Sequence, residues 1–462
     1  MSYTVDEYRR EISSKKILVV GMGRSGIAAV RELHNLGATV TAQDINTVDK
    51  IDPKFITFLN REGIDYYFGT TPEHMDSFDI VVLSPGVNPN LEFIKGGRDK
   101  GVEIIGELEM AYRLSRGKYV AITGTNGKTT TTSLVGKIFE ESGRNYTVVG
   151  NIGVAAISKV QESTEDEWMI AEASSFQLET ISHFRPVVSA ILNFTPDHLN
   201  RHGSMEAYGA CKAAIGSNQT VDDYMIINYD DKACLALASD TKAKLVPFSR
   251  LEQLEFGAYI DDGYIVIRDE SGIVHQTCSK DELKIIGNHN LENALAATAI
   301  SFFAGINIDV IADAIKKFPG VEHRIEYCGI VDGVKFYNDS KGTNVDASVI
   351  ALKALEHDII LIAGGDGKSQ DFTELGENLE GRVKALVLLG RDAKEIENAA
   401  RACGFSNIYL ENDMNDCVKR AHEISEEGDK VLLSPACASW DMYDNYEQRG
   451  DHFKNCVNQL LR

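Results

Sequence analysis

The chain has 462 residues, 43% of them hydrophobic and 25% charged, a composition that builds several packed cores and excludes fibrous and disordered classes. Setting 47 Lys and Arg against 69 Asp and Glu leaves a net charge of -22, which repels nucleic-acid and anionic-membrane surfaces, so any bound phosphate needs a local site. Eight cysteines without a CxxC pair signal neither a zinc cluster nor a disulfide framework, no stretch approaches the roughly 20 apolar residues of a membrane helix, and a soluble, cytoplasmic protein is expected.

Short apolar runs recur along the chain between segments long enough for crossover helices: KILVV from Lys16, DIVVLS from Asp79, YVAIT from Tyr119, PVVSAILN from Pro186, HDIILIAGG from His357, VKALVLLG from Val383 and KVLLSPA from Lys430. Each has the Val/Ile/Leu content of a strand buried on both faces, and the alternation predicts an α/β protein. Three α/β domains are expected, with joints near residues 116–118 and 318–321.

The first run leads into VVGMGRSGIAAVREL, where Gly21, Gly23 and Gly26 form Gly-x-Gly-x-x-Gly and Asp44 ends the next predicted strand. Alone, this pattern favours a dinucleotide and dehydrogenase chemistry. About a hundred residues on, YVAIT runs into Gly124, Thr125, Asn126, Gly127, Lys128, Thr129 and Thr130 (GTNGKTT), followed by an amphipathic helix that ends at Gly143. Strand, glycine loop and helix are in the order that cradles phosphate. In that order backbone N–H groups can curl around an anion, Lys128 can reach the β/γ-phosphates, and the Thr129 hydroxyl can ligate Mg²⁺. The spacing departs from Gly-x4-Gly-Lys-[Ser/Thr], and no Asn-Lys-x-Asp base-reading motif occurs, which counts against a nucleotide switch. Glu172 ends the run WMIAE, where a carboxylate can face the phosphate loop across a Mg²⁺ ion. NFTPDHLNRHG then places Asp197 and His198 after another strand, with Lys212 on the following helix.

GTNGKTT, GNIG, EASSFQLE, DHLNRHG, GNHNLENALAA, EHRIE, NDSKGTN, GGDGKS and SPACASWDMYDNYEQRG follow one another from residue 124 to residue 450. In that order they resemble the Mur ligases, a family of ATP-dependent amide-forming ligases of cell-wall precursor synthesis. The resemblance implies an N-terminal Rossmann-like domain (1–116) for a UDP-linked substrate, a central P-loop ATPase domain with a parallel sheet (117–319) and a C-terminal Rossmann-like α/β domain (320–462) for an amino acid. It implies two Mg²⁺ ions held by Thr129, Glu172, His198 and Lys212, the last as a carbamate. Asn151 and His198 would meet the muramoyl substrate, with Arg24, Ser25, Asp44, Ser84 and Gly86 at its UDP end. Asn290, Asn293, Arg324 and Asp339 would meet ATP, with His289 close by. Length, glycine turn and the SPACAS block resemble the branch that adds D-glutamate to UDP-N-acetylmuramoyl-L-alanine. Lys341, Thr343, Lys368, Ser439 and Tyr446 would hold D-glutamate. A monomer is expected.

Overall fold

A computed structural model describes residues 4–460. The expected strands form where the apolar runs lie, in three sheets. The first sheet contains β1 (Lys16–Val20), β2 (Thr39–Asp44), β3 (Asp65–Phe68), β4 (Ile80–Leu83) and β5 (Glu103–Gly106), all parallel, in the order β3-β2-β1-β4-β5. Crossover helices cover both faces, so β1 and β4 are apolar at nearly every position. The strand order reverses direction beside β1. Open sheets of this kind bind ligands in the crevice that opens there.

The second sheet has nine strands: β6 (Lys118–Thr123), β7 (Tyr146–Gly150), β8 (Trp168–Glu172), β9 (Val188–Ile191), β10 (Tyr224–Asn228), β11 (Lys244–Ser249), β12 (Gly257–Asp261), β13 (Tyr264–Arg268) and β14 (Val274–Ser279). Their order is β14-β13-β12-β11-β10-β9-β6-β8-β7. Seven run parallel, as expected of the central sheet, and β13 and β14 extend it as an antiparallel addition. The reason lies in tight turns at Asp262–Gly263 and Gly272, where positive φ lets consecutive strands pair directly without a crossover helix. These two sheets belong to one compact unit made of residues up to 282 and 292–316.

A second compact unit takes in residues 283–291 and everything from 317 on. Its sheet contains β15 (Glu326–Val331), β16 (Val334–Asn338), β17 (Ile359–Gly364), β18 (Val383–Leu389), β19 (Ile408–Leu410) and β20 (Lys430–Leu433), in the order β15-β16-β20-β17-β18-β19, parallel except for the β15–β16 hairpin. Apolar clusters fill both faces. The neighbours β16, β20 and β17 therefore deliver three loops, NDSKGTN, SPACAS and GGDGKS, to one edge. Among the described residues no helix is long and apolar enough to cross a membrane.

Candidate active site

In the first unit, the crevice beside β1 is a cavity of about 1050 Å³, and Gly21, Arg24, Ser25, Asp44, Ser84 and Gly86 all line it. The helix Arg24–Asn35 starts at its wall with no side-chain cap, so its first N–H groups are open to an anion. Asp44 shapes the turn: its Oδ2 accepts the Met22 N–H at 2.6 Å and its Oδ1 accepts the Asn46 N–H at 2.8 Å. The Ser84 hydroxyl donates to the Gly21 carbonyl at 2.7 Å. The Arg24 guanidinium turns to the GNIG loop, donating to the carbonyls of Gly153 at 3.0 Å and of Gly150 and Asn151 at 3.3 Å.

The phosphate loop leaves β6 and enters the helix Lys128–Glu141 through Gly127, at φ 80°. Only glycine fits there, because a Cβ would stand 2.3 Å from the Asn293 Oδ1. Asn293 also accepts a hydrogen bond from the Thr131 hydroxyl at 3.2 Å, so it braces the loop from behind. Lys128 Nζ donates to the carbonyls of Gly124 at 2.8 Å and Thr125 at 2.7 Å. Lys212, 1% exposed, donates to the same Gly124 carbonyl at 2.8 Å. Burial, and the like charge of Lys128, bring its pKa down to about 7.

Parallel pairing of β6 with β8 sets Glu172 beside Ile122, at the mouth of the loop. Glu172 Oε1 accepts the Asn151 amide at 2.7 Å. Glu172 Oε2 is buried and, among the described residues, has no hydrogen-bond partner. A carboxyl oxygen left unpaired in the interior is costly, and a hard cation is the partner such a donor suits. The residues thus fit Mg²⁺, with Thr129 in the first turn of the helix beside them. His198 heads the short helix Leu199–His202 at φ 51°, half exposed, its ring 4.9 Å from that of Phe176. The preceding Asp197 accepts the His198 N–H.

In the second unit, Asn290 donates from its side chain to the Ile286 carbonyl at 2.8 Å. His289 is held neutral, pulled to about 4 by burial and then by the Arg324 charge. The Arg324 Nε is buried without a partner among the described residues, as a donor kept for an anion would be. Asp339 is buried, accepting the Ser434 hydroxyl at 2.7 Å and the Ile325 N–H at 3.2 Å. Burial raises its pKa to about 7. At the common edge of β16, β20 and β17, the Lys341 ammonium lies 5.7 Å from the ring centroid of Tyr446, which begins the last helix, Tyr446–Leu460. Thr343 donates its N–H to the Lys341 carbonyl. Ser439 is buried, and Lys368 stands at φ 51° with its ammonium 4.2 Å from the centroid of Trp440. Hydrogen bonds from Asp366 N to Ala438 O and from Ala438 N to Asp366 O lock the GGDGKS and SPACAS loops together.

Sequence reasoning missed several residues. Arg449 is buried and donates to the Ser340 hydroxyl and carbonyl and to the Cys437 carbonyl, tying two loops of that edge. Its motif, YEQRG, was visible, but its inward direction was not. Glu107 is buried and accepts the Ile157 N–H at 2.8 Å, with burial raising its pKa to about 7. Trp440, 64% exposed, carried no signal beyond its place in SPACASW.

Three family descriptions match the chain in order: "Mur ligase MurD-like, N-terminal domain" over residues 15–106, "Mur ligase middle domain" over 122–301, and "Mur ligase, glutamate ligase domain" over 323–437. A protein named UDP-N-acetylmuramoylalanine--D-glutamate ligase from Thermoanaerobacter sp. (strain X514) is 47% identical over 455 residues, covering 98% of this chain and 100% of its own. One of the same name from Clostridioides difficile (strain 630) is 46% identical over 451 residues, covering 97% and 100%. Among solved structures, UDP-N-acetylmuramate-alanine ligase MurC from Thermotoga maritima is similar in fold, with TM-score 0.59 at 19% identity, over 96% of this chain and 100% of that one.

Proposed function

The chain belongs to the Mur ligase family, and from that premise we propose that it joins D-glutamate to UDP-N-acetylmuramoyl-L-alanine with ATP, releasing ADP and phosphate in peptidoglycan precursor synthesis. The observation that carries this reading is one cluster: Lys128 and the buried Lys212 on the Gly124 carbonyl, at the loop faced by the unpartnered Glu172 Oε2. Two lysine amines on one carbonyl and a carboxylate oxygen buried without a partner among the described residues are costly as structure alone. They suit a γ-phosphoryl group and its metal.

In this mechanism the alanyl carboxylate oxygen attacks the γ-phosphorus, ADP leaves, and an acyl phosphate forms. The amine of D-glutamate adds to the acyl carbon, and the tetrahedral intermediate expels phosphate as the amide forms. Lys128 leaves its loop carbonyls to meet the β/γ-phosphates, and the N–H groups of the loop hold the transferring group in line. Bound Mg²⁺ supplies charge neutralisation for the phosphates. Thr129 and Glu172 would hold one ion, and His198 with Lys212 a second. A neutral amine is what captures CO₂, and Lys212 near pKa 7 offers one at physiological pH, so we propose its carbamate as the second ion's oxygen ligand.

Division of labour follows the three sheets, with boundaries proposed at 1–116, 117–319 and 320–462. The backbone N–H groups at Arg24 and Ser25, with Asp44, Ser84 and Gly86, take the UDP end. Asn151 and His198 take the muramoyl end. Asn290, Asn293, Arg324 and Asp339 serve ATP, the asparagines chiefly by bracing its loops. Lys341, Thr343, Lys368, Ser439 and Tyr446 take D-glutamate, whose two carboxylates need local cations in a chain of net charge -22. Eight thiols that form no disulfide agree with a reducing cytoplasm, and a monomer is proposed. Phosphate release from ATP and UDP-N-acetylmuramoyl-L-alanine should require an amino acid and select D-glutamate from a panel. Equal rates with L-glutamate, or release without any amine, would overturn the assignment.

A further inference from the structure

Arg24 occupies a position in the glycine turn where its side chain has no task in the chemistry above. Its guanidinium leaves the start of the helix Arg24–Asn35 and ends on the carbonyls of Gly150, Asn151 and Gly153. A planar fork with several fixed donors suits such a fan of acceptors, which a lysine could not serve. That loop is itself fastened to the metal-ligand strand. The Asn151 N–H donates to the Glu172 carbonyl at 2.9 Å, and the Asn151 amide holds Glu172 Oε1 at 2.7 Å. The packing leaves no slack, since a Cβ on Gly150 would stand 2.4 Å from the Glu172 carbonyl oxygen.

A second arginine makes the reverse connection. Arg201 lies on the short helix headed by His198, and its guanidinium donates to the carbonyls of Val87 at 2.9 Å and Gly86 at 3.4 Å, both of which line the same cavity. Glu179 pairs with it at 3.0 Å and fixes its direction. One arginine thus ties the cavity to the loop that holds Glu172, and the other ties it to the helix headed by His198, two of the four proposed magnesium ligands.

We propose that Arg24 and Arg201 are positioning residues that transmit occupancy of the UDP cavity to the magnesium site, so that uridine nucleotide binding orders Glu172 and His198 before phosphoryl transfer. The inference rests on the UDP and ATP assignments above. A pyrophosphate on the N–H groups of residues 21–25 holds the turn from which the Arg24 fork springs. The state with fork and loop engaged therefore binds the nucleotide better, which is the differential affinity any such coupling requires.

Hydrogen exchange of the Gly150 and Asn151 amides, measured with and without UDP, reads this coupling without any turnover. In the unmutated chain UDP should slow exchange across residues 150–154. In Arg24→Ala the slowing should vanish while calorimetric UDP affinity stays within about threefold, and half-activation by Mg²⁺ should rise roughly tenfold, the worth of about one charge-assisted hydrogen bond. Arg24→Lys should fall between, and Arg201→Ala should loosen 197–202 in the same manner. If UDP slowed exchange equally in Arg24→Ala, or if that variant lost UDP affinity more than tenfold with unchanged Mg²⁺ dependence, Arg24 would be a plain pyrophosphate cation and the coupling would be wrong. Failure of the unmutated chain to bind UDP would instead strike the substrate assignment on which the inference stands. Should Arg24→Ala not fold, Arg24→Lys and Arg201→Ala decide by the same measurements.

Discussion

The chain uses the same device twice, a parallel strand running through a glycine turn into a helix, and the two copies differ in what surrounds them. At residues 21–26 the turn is held by a neighbouring carboxylate, Asp44, and a hydroxyl, Ser84, and it opens on a cavity of about 1050 Å³. At residues 124–130 the loop is crowded by two lysines on one carbonyl and faced by an unpartnered glutamate oxygen. Both helices start without a side-chain cap, which leaves their first N–H groups open to an anion. The backbone therefore makes a place for an anion, and the buried charges beside it decide whether that anion is only held or is transferred.

The contrast breaks most sharply at Lys128. Lys128→Ala should lower kcat by about three orders of magnitude or more, a loss of several kcal/mol in the transition state, while leaving UDP affinity unchanged. Comparable losses in both would mean that the two turns are not separate in function.

Lys212 gives the next largest effect. Lys212→Ala should cost turnover on the order of a hundredfold or more, and a short carboxylic acid added to the buffer should restore part of it by replacing the carbamate oxygens. Removal of CO₂ should depress the unmutated enzyme alone. Stability has a sign to check as well: with a folded pKa of about 7 against 10.5 when unfolded, the neutral amine contributes stability present above 10.5 and lost as pH falls through about 7. In CO₂-free buffer, thermal melts should therefore move in favour of the unmutated chain over Lys212→Met as pH rises across that window. Parallel pH curves would show an amine already charged in the folded state.

At the edge of the third sheet, Lys368→Ala should raise the KM for D-glutamate about 10- to 100-fold, the equivalent of one charge-assisted contact of about 1.5–3 kcal/mol, with little change for ATP. Equal rises for both would remove the amino acid from this edge. Trp440→Phe should be mild by comparison, since the ring under the Lys368 ammonium remains and an exposed cation–π contact is worth about 0.5–1 kcal/mol.

The smallest effect is expected where the first turn is held by Asp44. Asp44→Ala should lower stability by about 1–2 kcal/mol, because the buried Met22 N–H loses its acceptor, and should raise the KM for the UDP substrate only a few fold. Denaturant titration and initial rates separate the two. An unchanged midpoint would show that the turn keeps its shape without the carboxylate.

The strands and the phosphate loop were legible in the sequence because their signals are local. KILVV, YVAIT and HDIILIAGG carry their burial in their own composition, and GTNGKTT needs only glycine conformations and a following helix to take shape. The order of the family blocks from residue 124 to 450 carried the chemistry. The antiparallel addition of β13 and β14 escaped, since neither segment is among the apolar runs and β14 is mostly exposed or half-buried. Tertiary structure alone decided which distant residues share a point in space. The register that sets Glu172 beside Ile122 depends on β8 pairing with β6. Lys212 reaches the carbonyl of a residue 88 positions away only because its helix packs against the loop, and the same packing removes the water that would keep it charged. Arg24 stands in a motif visible at a glance, yet its fork points out of that motif to carbonyls 126–129 residues on. A side chain's composition travels with the sequence; its direction, its neighbours and its desolvation are properties of the packed chain.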